Sequence, residues 1–350
     1  MNTTITTRKQ FQPECRATAI GSMPHSDAAR ACSALLKYLP DIPVWPQLPH
    51  LSPRENMYLQ FSEGFPGFSF DGEHFYVQRS PALDEDMEKL YQASLDNNYD
   101  SWKVSPGYAA GLYKFIEEAN AGSCLALKGQ VTGPVSWGLT VTDKDHLPII
   151  YDDTLSDAVA RHLALKAAWE ERFLTRGSKF NIIFVDEPYM SSFGSAFVSL
   201  TREKVTDLLE EVYKGITCLK GLHCCGNTDW GMLLGTSVDI INPDVYNFEK
   251  SFNLYPEEIG SFLSSDGIIA WGIVPNDEAA LKKETVNSLR DRLEEVIAPL
   301  TRKGIEFRTL LGRSLVTPNC GLASMSIEGA ETALEVLAGL SAELRRKYIR

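Results

Sequence analysis

Short apolar runs recur along this chain, each followed by a longer stretch with helical spacing. The runs fall at 17–21, 42–45, 124–130, 181–185, 218–222, 238–241, 268–273 and 310–316. Helical patterns follow at 27–38, 84–95, 107–119, 154–176, 202–215, 256–263, 284–302 and 327–346, where apolar positions such as Val159, Leu163, Ala167 and Phe173 return about once per turn. The runs are apolar on both faces, as parallel strands covered by helices must be. About eight such units follow one another with no linker, which favours a (β/α)8 TIM barrel over an open doubly wound sheet. No Gly-x-Gly-x-x-Gly or phosphate loop supports the doubly wound alternative. The expectation is a single barrel over 1–350, broken by an irregular insertion at about 48–80. That insertion is rich in Pro, Gly, Phe and Tyr, and is read as an N-terminal excursion covering the C-terminal face.

Composition narrows the function. With 44% hydrophobic and 23% charged residues the chain can build a large core, which excludes wholesale disorder. A net charge of −12 argues against nucleic acid or an anionic membrane as partner. The N-terminus shows no apolar signal region, and no run nears the ~18 apolar residues of a membrane helix. The expected location is therefore cytoplasmic. The seven cysteines are odd in number and scattered, so reduced thiols are expected rather than a disulfide framework.

The residues able to do chemistry share one kind of place. Ser22, Asp186, His223, Cys225, Asp244 and Cys320 each come at, or just past, the end of an expected strand. In a barrel those ends form one face, where active sites lie. His223 and Cys225 are two apart in an extended segment and so point the same way. Imidazole and thiolate together suit zinc, and Gly226 lets the backbone turn away directly afterwards. Two ligands are too few. Cys320 stands 95 residues later at the end of the last strand, and barrel closure brings that strand back towards His223. Cys224 should point the opposite way, into the core.

These motifs resemble the superfamily of uroporphyrinogen decarboxylase, cobalamin-independent methionine synthase and the methylcobalamin-dependent thiol methyltransferases. Ala19-Ile20-Gly21-Ser22-Met23-Pro24 resembles the Ile-Gly-Ser-Phe-Pro of the methionine synthases, and Gly133-Pro134-Val135-Ser136 their Gly-Pro-Val-Thr. Val185-Asp186-Glu187-Pro188 is similar to their Asp-Glu-Pro. His223-Cys224-Cys225-Gly226-Asn227 is close to the His-x-Cys-Gly-Asn of the corrinoid-linked enzymes, and Asn319-Cys320-Gly321-Leu322 resembles Asp-Cys-Gly-Leu.

The resemblance implies a zinc-dependent methyltransferase acting on a small thiol, with homocysteine favoured. It implies zinc on His223, Cys225 and Cys320. Asp244 takes the position of a fourth carboxylate ligand, with Glu249 in reserve. Ile20, Gly21, Ser22 and Asp186 would hold the amino-acid part of the thiol, and Asp186 and Asp244 are the expected catalytic carboxylates. The methionine synthases protonate their folate donor with a His after the seventh strand. Here that segment reads Ala270-Trp271-Gly272-Ile273-Val274-Pro275, without one. The implied donor is therefore methylcobalamin, with a corrinoid protein as partner, ahead of methyltetrahydrofolate. The alternatives are a coenzyme M-type methyltransferase and a non-catalytic zinc- or corrinoid-binding barrel. His25 and His50 are further candidates to face the site, and one or two of Trp45, Trp137, Trp230 and Trp271 to floor its pocket.

Overall fold

The computed structural model describes residues 8–119, 124–175, 180–196 and 198–349. Seven parallel strands form one curled sheet in the order β1-β9-β8-β7-β6-β5-β4. They are β1 (Arg16–Ala17), β4 (Ala126–Thr132), β5 (Phe180–Asp186), β6 (Leu219–Cys224), β7 (Ile240–Pro243), β8 (Ile268–Val274) and β9 (Ser314–Pro318). Two short strands outside it, β2 (Phe68–Phe70) and β3 (Phe75–Val77), pair as an antiparallel hairpin within the excursion. β4, β8 and β9 are buried along their whole length, which the two-faced apolar pattern anticipates.

Every strand of the large sheet runs the same way, so the strand ends gather on one face. Long helices return the chain along the outside. Ala28–Tyr38 and Arg202–Lys214 lie within one residue of the expected bounds, and each starts on a side-chain cap, Asp27 and Thr201 respectively.

The sheet is a half-barrel of seven strands rather than a regular eight-stranded ring. The strand expected at 42–45 is reduced to isolated bridges: Val44 pairs with Lys128 of β4, and Gln47 pairs with Ser22 beyond β1. The cause is in the sequence. Pro43 and Pro46 lack the amide hydrogens that a continuous ladder on both sides would use. The segment instead donates from the amides that remain, Trp45 N to the Lys128 carbonyl (3.4 Å) and Gln47 N to the Gly21 carbonyl (3.1 Å). Other bounds moved too: the strand expected at 17–21 is only Arg16–Ala17, and that expected at 238–241 runs Ile240–Pro243. The run at 310–316 begins inside a short helix, Phe307–Gly312, and β9 starts only at Ser314.

The excursion crosses the face where the strands end and is fastened there. Glu55, buried, accepts from Leu48 N (3.0 Å) and Ala110 N (2.8 Å). Thr132 Oγ1, at the end of β4, donates to the Met57 carbonyl (2.7 Å), and Trp137 Nε1 to that of Tyr58 (2.9 Å). No helix among the described residues is long and apolar enough to cross a membrane.

Candidate metal centre

His223 is the next-to-last residue of β6 and Cys225 the first after it. Their side chains share a face by strand alternation. Cys320 follows β9 by two residues. A ring nitrogen of His223 and the sulfurs of Cys225 and Cys320 lie within 4.8 Å of one another.

The surroundings orient each group. His223 Nδ1 donates to the Asn242 carbonyl at 3.3 Å, while its Nε2 is buried without a hydrogen-bond partner. That is the arrangement of a metal-ligating histidine, whose second nitrogen is fixed by a backbone carbonyl. Asn242 is itself held through its amide by the Ala270 carbonyl (2.5 Å) and Thr317 Oγ1 (2.9 Å). The Cys320 thiol stands beside the Cys225 sulfur, and this neighbour, against the opposing effect of burial, holds the Cys225 thiol well below its ordinary value. The same proximity, with burial, pushes Cys320 up. Burial disfavours a charged His223, but Cys225 and Asp186 outweigh it and raise the ring's pKa. A nitrogen with no partner beside a thiol–thiolate pair is a donor set that fits zinc.

These three residues lie in the wall of a cavity of about 330 Å³. Ile20, Ser22 and Asp186 line it too, as do Gly321 and Ser324 from the loop after β9. The excursion supplies Pro49, Glu55, Asn56 and Met57, and Gln47 precedes it. Asp186 stands beside His223 in register, with its Oδ1 buried and unpartnered. Burial raises its pKa against the pull of Lys128 and His223.

Two glycines are dictated by this geometry. Gly21 adopts φ +144°, and a Cβ there would meet the Gln130 side chain at 2.7 Å. A Cβ on Gly321 would fall 2.0 Å from Ser22 Oγ, so Gly321 lets the Cys320 loop lie against Ser22.

Several expected residues stand elsewhere. Asp244 does not join the three donors. It caps the helix Val245–Phe252: Oδ1 accepts from Asn247 N (2.9 Å), and Oδ2 accepts from the amides of Asn247 (2.8 Å) and Asn319 (3.1 Å). Aspartate is short enough to cap its own helix, and both its oxygens are engaged there by Asn247 and Asn319. Glu249 lies in that helix and lines no part of the cavity. His25 is buried against the closing helix, 3.6 Å from Glu331, and His50 is exposed; neither lines the cavity. Trp45, Trp137, Trp230 and Trp271 are all core residues and none floors it.

Other residues carry roles that spacing did not reveal. Glu187, next to Asp186, accepts from Val135 N (2.9 Å), Ser136 N (2.8 Å) and Ser136 Oγ (2.6 Å) at the start of the helix Pro134–Thr140. The Asp-Glu-Pro and Gly-Pro-Val-Ser motifs thus interlock, Glu187 binding the helix and leaving Asp186 to the cavity. Asn276 donates its side-chain amide to the Gly321 carbonyl (3.0 Å) and its backbone N–H to Asn319 Oδ1 (2.8 Å), steadying the Cys320 loop.

Glu170 lies deeper. Its Oε1 accepts from Trp45 Nε1 (2.8 Å) and Gln130 N (2.9 Å), while Oε2 has no partner and burial raises the acid to about 8. An unfolded glutamate titrates near ~4.3. Between these values the folded chain holds a proton that the unfolded chain lacks. This stability is full below the unfolded pKa and is lost as pH rises through the folded one, at about 1.4 kcal/mol per pH unit. Urea titrations of wild type and Glu170→Gln from pH 5 to 8 should show the variant's slope shallower by about that amount. Parallel slopes would remove Glu170 from the account.

No protein-family model matches this sequence, and no curated protein matches it significantly. Solved structures do match. A B12-independent methionine synthase from Shewanella sp. W3-18-1, in complex with selenomethionine, is 16% identical. The match covers 95% of this chain and 98% of that one, with a TM-score of 0.61. A putative vitamin-B12-independent methionine synthase from Listeria monocytogenes is 15% identical over 91% of this chain and 86% of that one, with a TM-score of 0.51. This chain has the fold of those methionine synthase-like proteins.

Proposed function

We propose that this protein transfers a methyl group to the sulfur of an amino-acid thiol, homocysteine, at a zinc ion held by His223, Cys225 and Cys320. The observation that carries this reading is the meeting of those three donors, within 4.8 Å, in the wall of a cavity that Asp186 also lines. Three protein donors beside open space suit a catalytic zinc, whereas a structural zinc uses four. This argues for an enzyme over a zinc-binding barrel without activity. The Shewanella structure supports the reading from outside, because selenomethionine is an analogue of the methylated product.

Zinc bound there would supply one thing: a coordinated thiol loses its proton while its sulfur keeps a lone pair for attack. The chain's own residues do the rest. Asp186, buried and with a free oxygen, holds the substrate ammonium. The backbone at Ile20 to Ser22 holds its carboxylate, and the excursion at Glu55 to Met57 walls the site from water. In the transfer the new S–CH3 bond takes its electron pair from sulfur, the bond from methyl to donor breaks, and its pair leaves with the donor. The thiol proton is released to solvent.

The cavity's charge separates the acceptors. Among the described residues no Lys or Arg lines it, while Asp186 and Glu55 do. A sulfonate thiol such as coenzyme M would bring an anion to two carboxylates with no cation to meet it. A zwitterion such as homocysteine fits. The methylcorrinoid donor implied by the sequence finds no support in the structural neighbours, both described as B12-independent.

The test incubates zinc-loaded protein with L-homocysteine and either 13C-methyl-labelled methyltetrahydrofolate or methylcobalamin. Labelled methionine from one donor, lost in His223→Ala, is the expected result. No labelled methionine from either donor would overturn the proposal.

A further inference from the structure

Lys128 is a fully buried cation that the proposed chemistry leaves unused. It lies in the middle of β4, fully buried, and does not line the cavity. Its ammonium donates to the Ile20 carbonyl at 2.8 Å and sits 4.2 Å over the Phe184 ring. A buried lysine is costly unless something needs its charge or its hydrogen bonds. One neighbour does, and it lies against the cavity.

That neighbour is the Ile20–Gly21 peptide. A trans peptide is planar, with its carbonyl and N–H opposed. Anchoring the Ile20 carbonyl on Lys128 therefore turns the Gly21 N–H away from the ammonium. Gln130, two residues on and on the same face of β4, backs Gly21 so closely that a Cβ would have no room. β4 thus fixes this peptide from behind, while Ile20 and Ser22 on either side line the cavity.

We propose that Lys128 is a positioning residue for an amino-acid head group: through Ile20 it presents the Gly21 N–H to the ligand carboxylate. This rests on the amino-acid reading above and adds the residue that fixes the carboxylate end of the head group. Lys128 touches neither the ligand nor the three metal donors, so its loss acts on recognition and leaves the metal in place.

Isothermal titration calorimetry of the zinc-loaded full chain tests this with two ligands. One is L-methionine. The other is 1-propanethiol, which has sulfur and no head group. In Lys128→Met the L-methionine Kd should weaken at least tenfold, with propanethiol binding within twofold of wild type and zinc unchanged at one per chain. Lys128→Gln keeps a donor for the Ile20 carbonyl without the charge, so its loss should be intermediate; if Lys128→Met does not fold, Lys128→Gln is held to a threefold loss. An unchanged L-methionine Kd, or equal weakening of both ligands, would overturn the inference. Wild type that binds zinc and propanethiol but not L-methionine would instead overturn the amino-acid reading on which it rests.

Discussion

Cys320→Ser should empty the metal centre. Zinc measured by atomic emission on the purified, dialysed chain is expected to fall from about one ion to less than about a tenth, with methyl transfer down at least about a thousandfold. The magnitude follows from the donor count. Three donors are gathered, and among the described residues no fourth carboxylate stands with them. Removing one leaves His223 and Cys225, and a hydroxyl is a poor replacement for a thiolate at zinc. The loss should not be matched by global unfolding, because Cys320 is only half-buried in a loop that Asn276 and Gly321 hold independently. Asp244→Ala is the paired control. Its oxygens are committed to Asn247 and Asn319, so zinc should remain near one per chain. Affinity should weaken by no more than about 10–100-fold, through the loosened Asn319–Cys320 turn. Full zinc retention in Cys320→Ser would sink the centre as drawn, and its complete loss in Asp244→Ala would restore Asp244 as a ligand.

The contrast between Cys320 and Asp244 shows what a sequence can carry. Strand periodicity and parallel order place both at strand ends on one face, and the structure puts both there. Whether a side chain at such a place turns inward or serves its own helix is a matter of local hydrogen bonding. For Asp244 the amide of Asn247, three residues on, decides it. The same limit applies at 42–47. An apolar run reads as a strand, yet two prolines take away the ladder and leave a half-barrel edge joined by single bridges. The other half of the cavity was hidden for a different reason. Gln47, Glu55 and Met57 lie in or next to an excursion without period, where position is set by contacts to distant residues such as Ala110 and Thr132. No spacing rule reaches across such gaps. His25 and the four tryptophans were drawn to the site by proximity to strand ends, and burial assigns them to the core instead.

Glu187→Ala should be the most damaging change outside the metal donors, and its damage should appear first in stability. The carboxylate is fully buried and accepts three hydrogen bonds from Val135 and Ser136. Two of these come from backbone amides in the first turn of Pro134–Thr140, a helix whose Gly133 cap offers no side-chain acceptor. Truncation leaves both amides buried and unpaired at about 1–3 kcal/mol each, and opens a void where the side chain packed. A loss of about 3–5 kcal/mol in urea denaturation is expected, a large share of the ~5–15 kcal/mol that holds a typical domain. Glu187→Gln separates the two contributions. It fills the space but can offer only one oxygen, so one of the three donors must face an amide nitrogen; its cost should be roughly half. Catalysis should follow by a route that zinc content does not report. Glu187 N donates to the His223 carbonyl at 2.8 Å, and a Cβ on Gly133 would lie 2.1 Å from the Glu187 carboxyl, so this one residue sets the spacing between β4, β5 and β6. When it relaxes, Asp186 moves relative to His223, and the head group loses its register with the sulfur. The variant should therefore keep its zinc and show a raised KM for homocysteine at temperatures where it remains folded. Wild-type stability in Glu187→Ala would mean that the interlocked motifs do not hold the strand ends together, and the placement of Asp186 would need another cause.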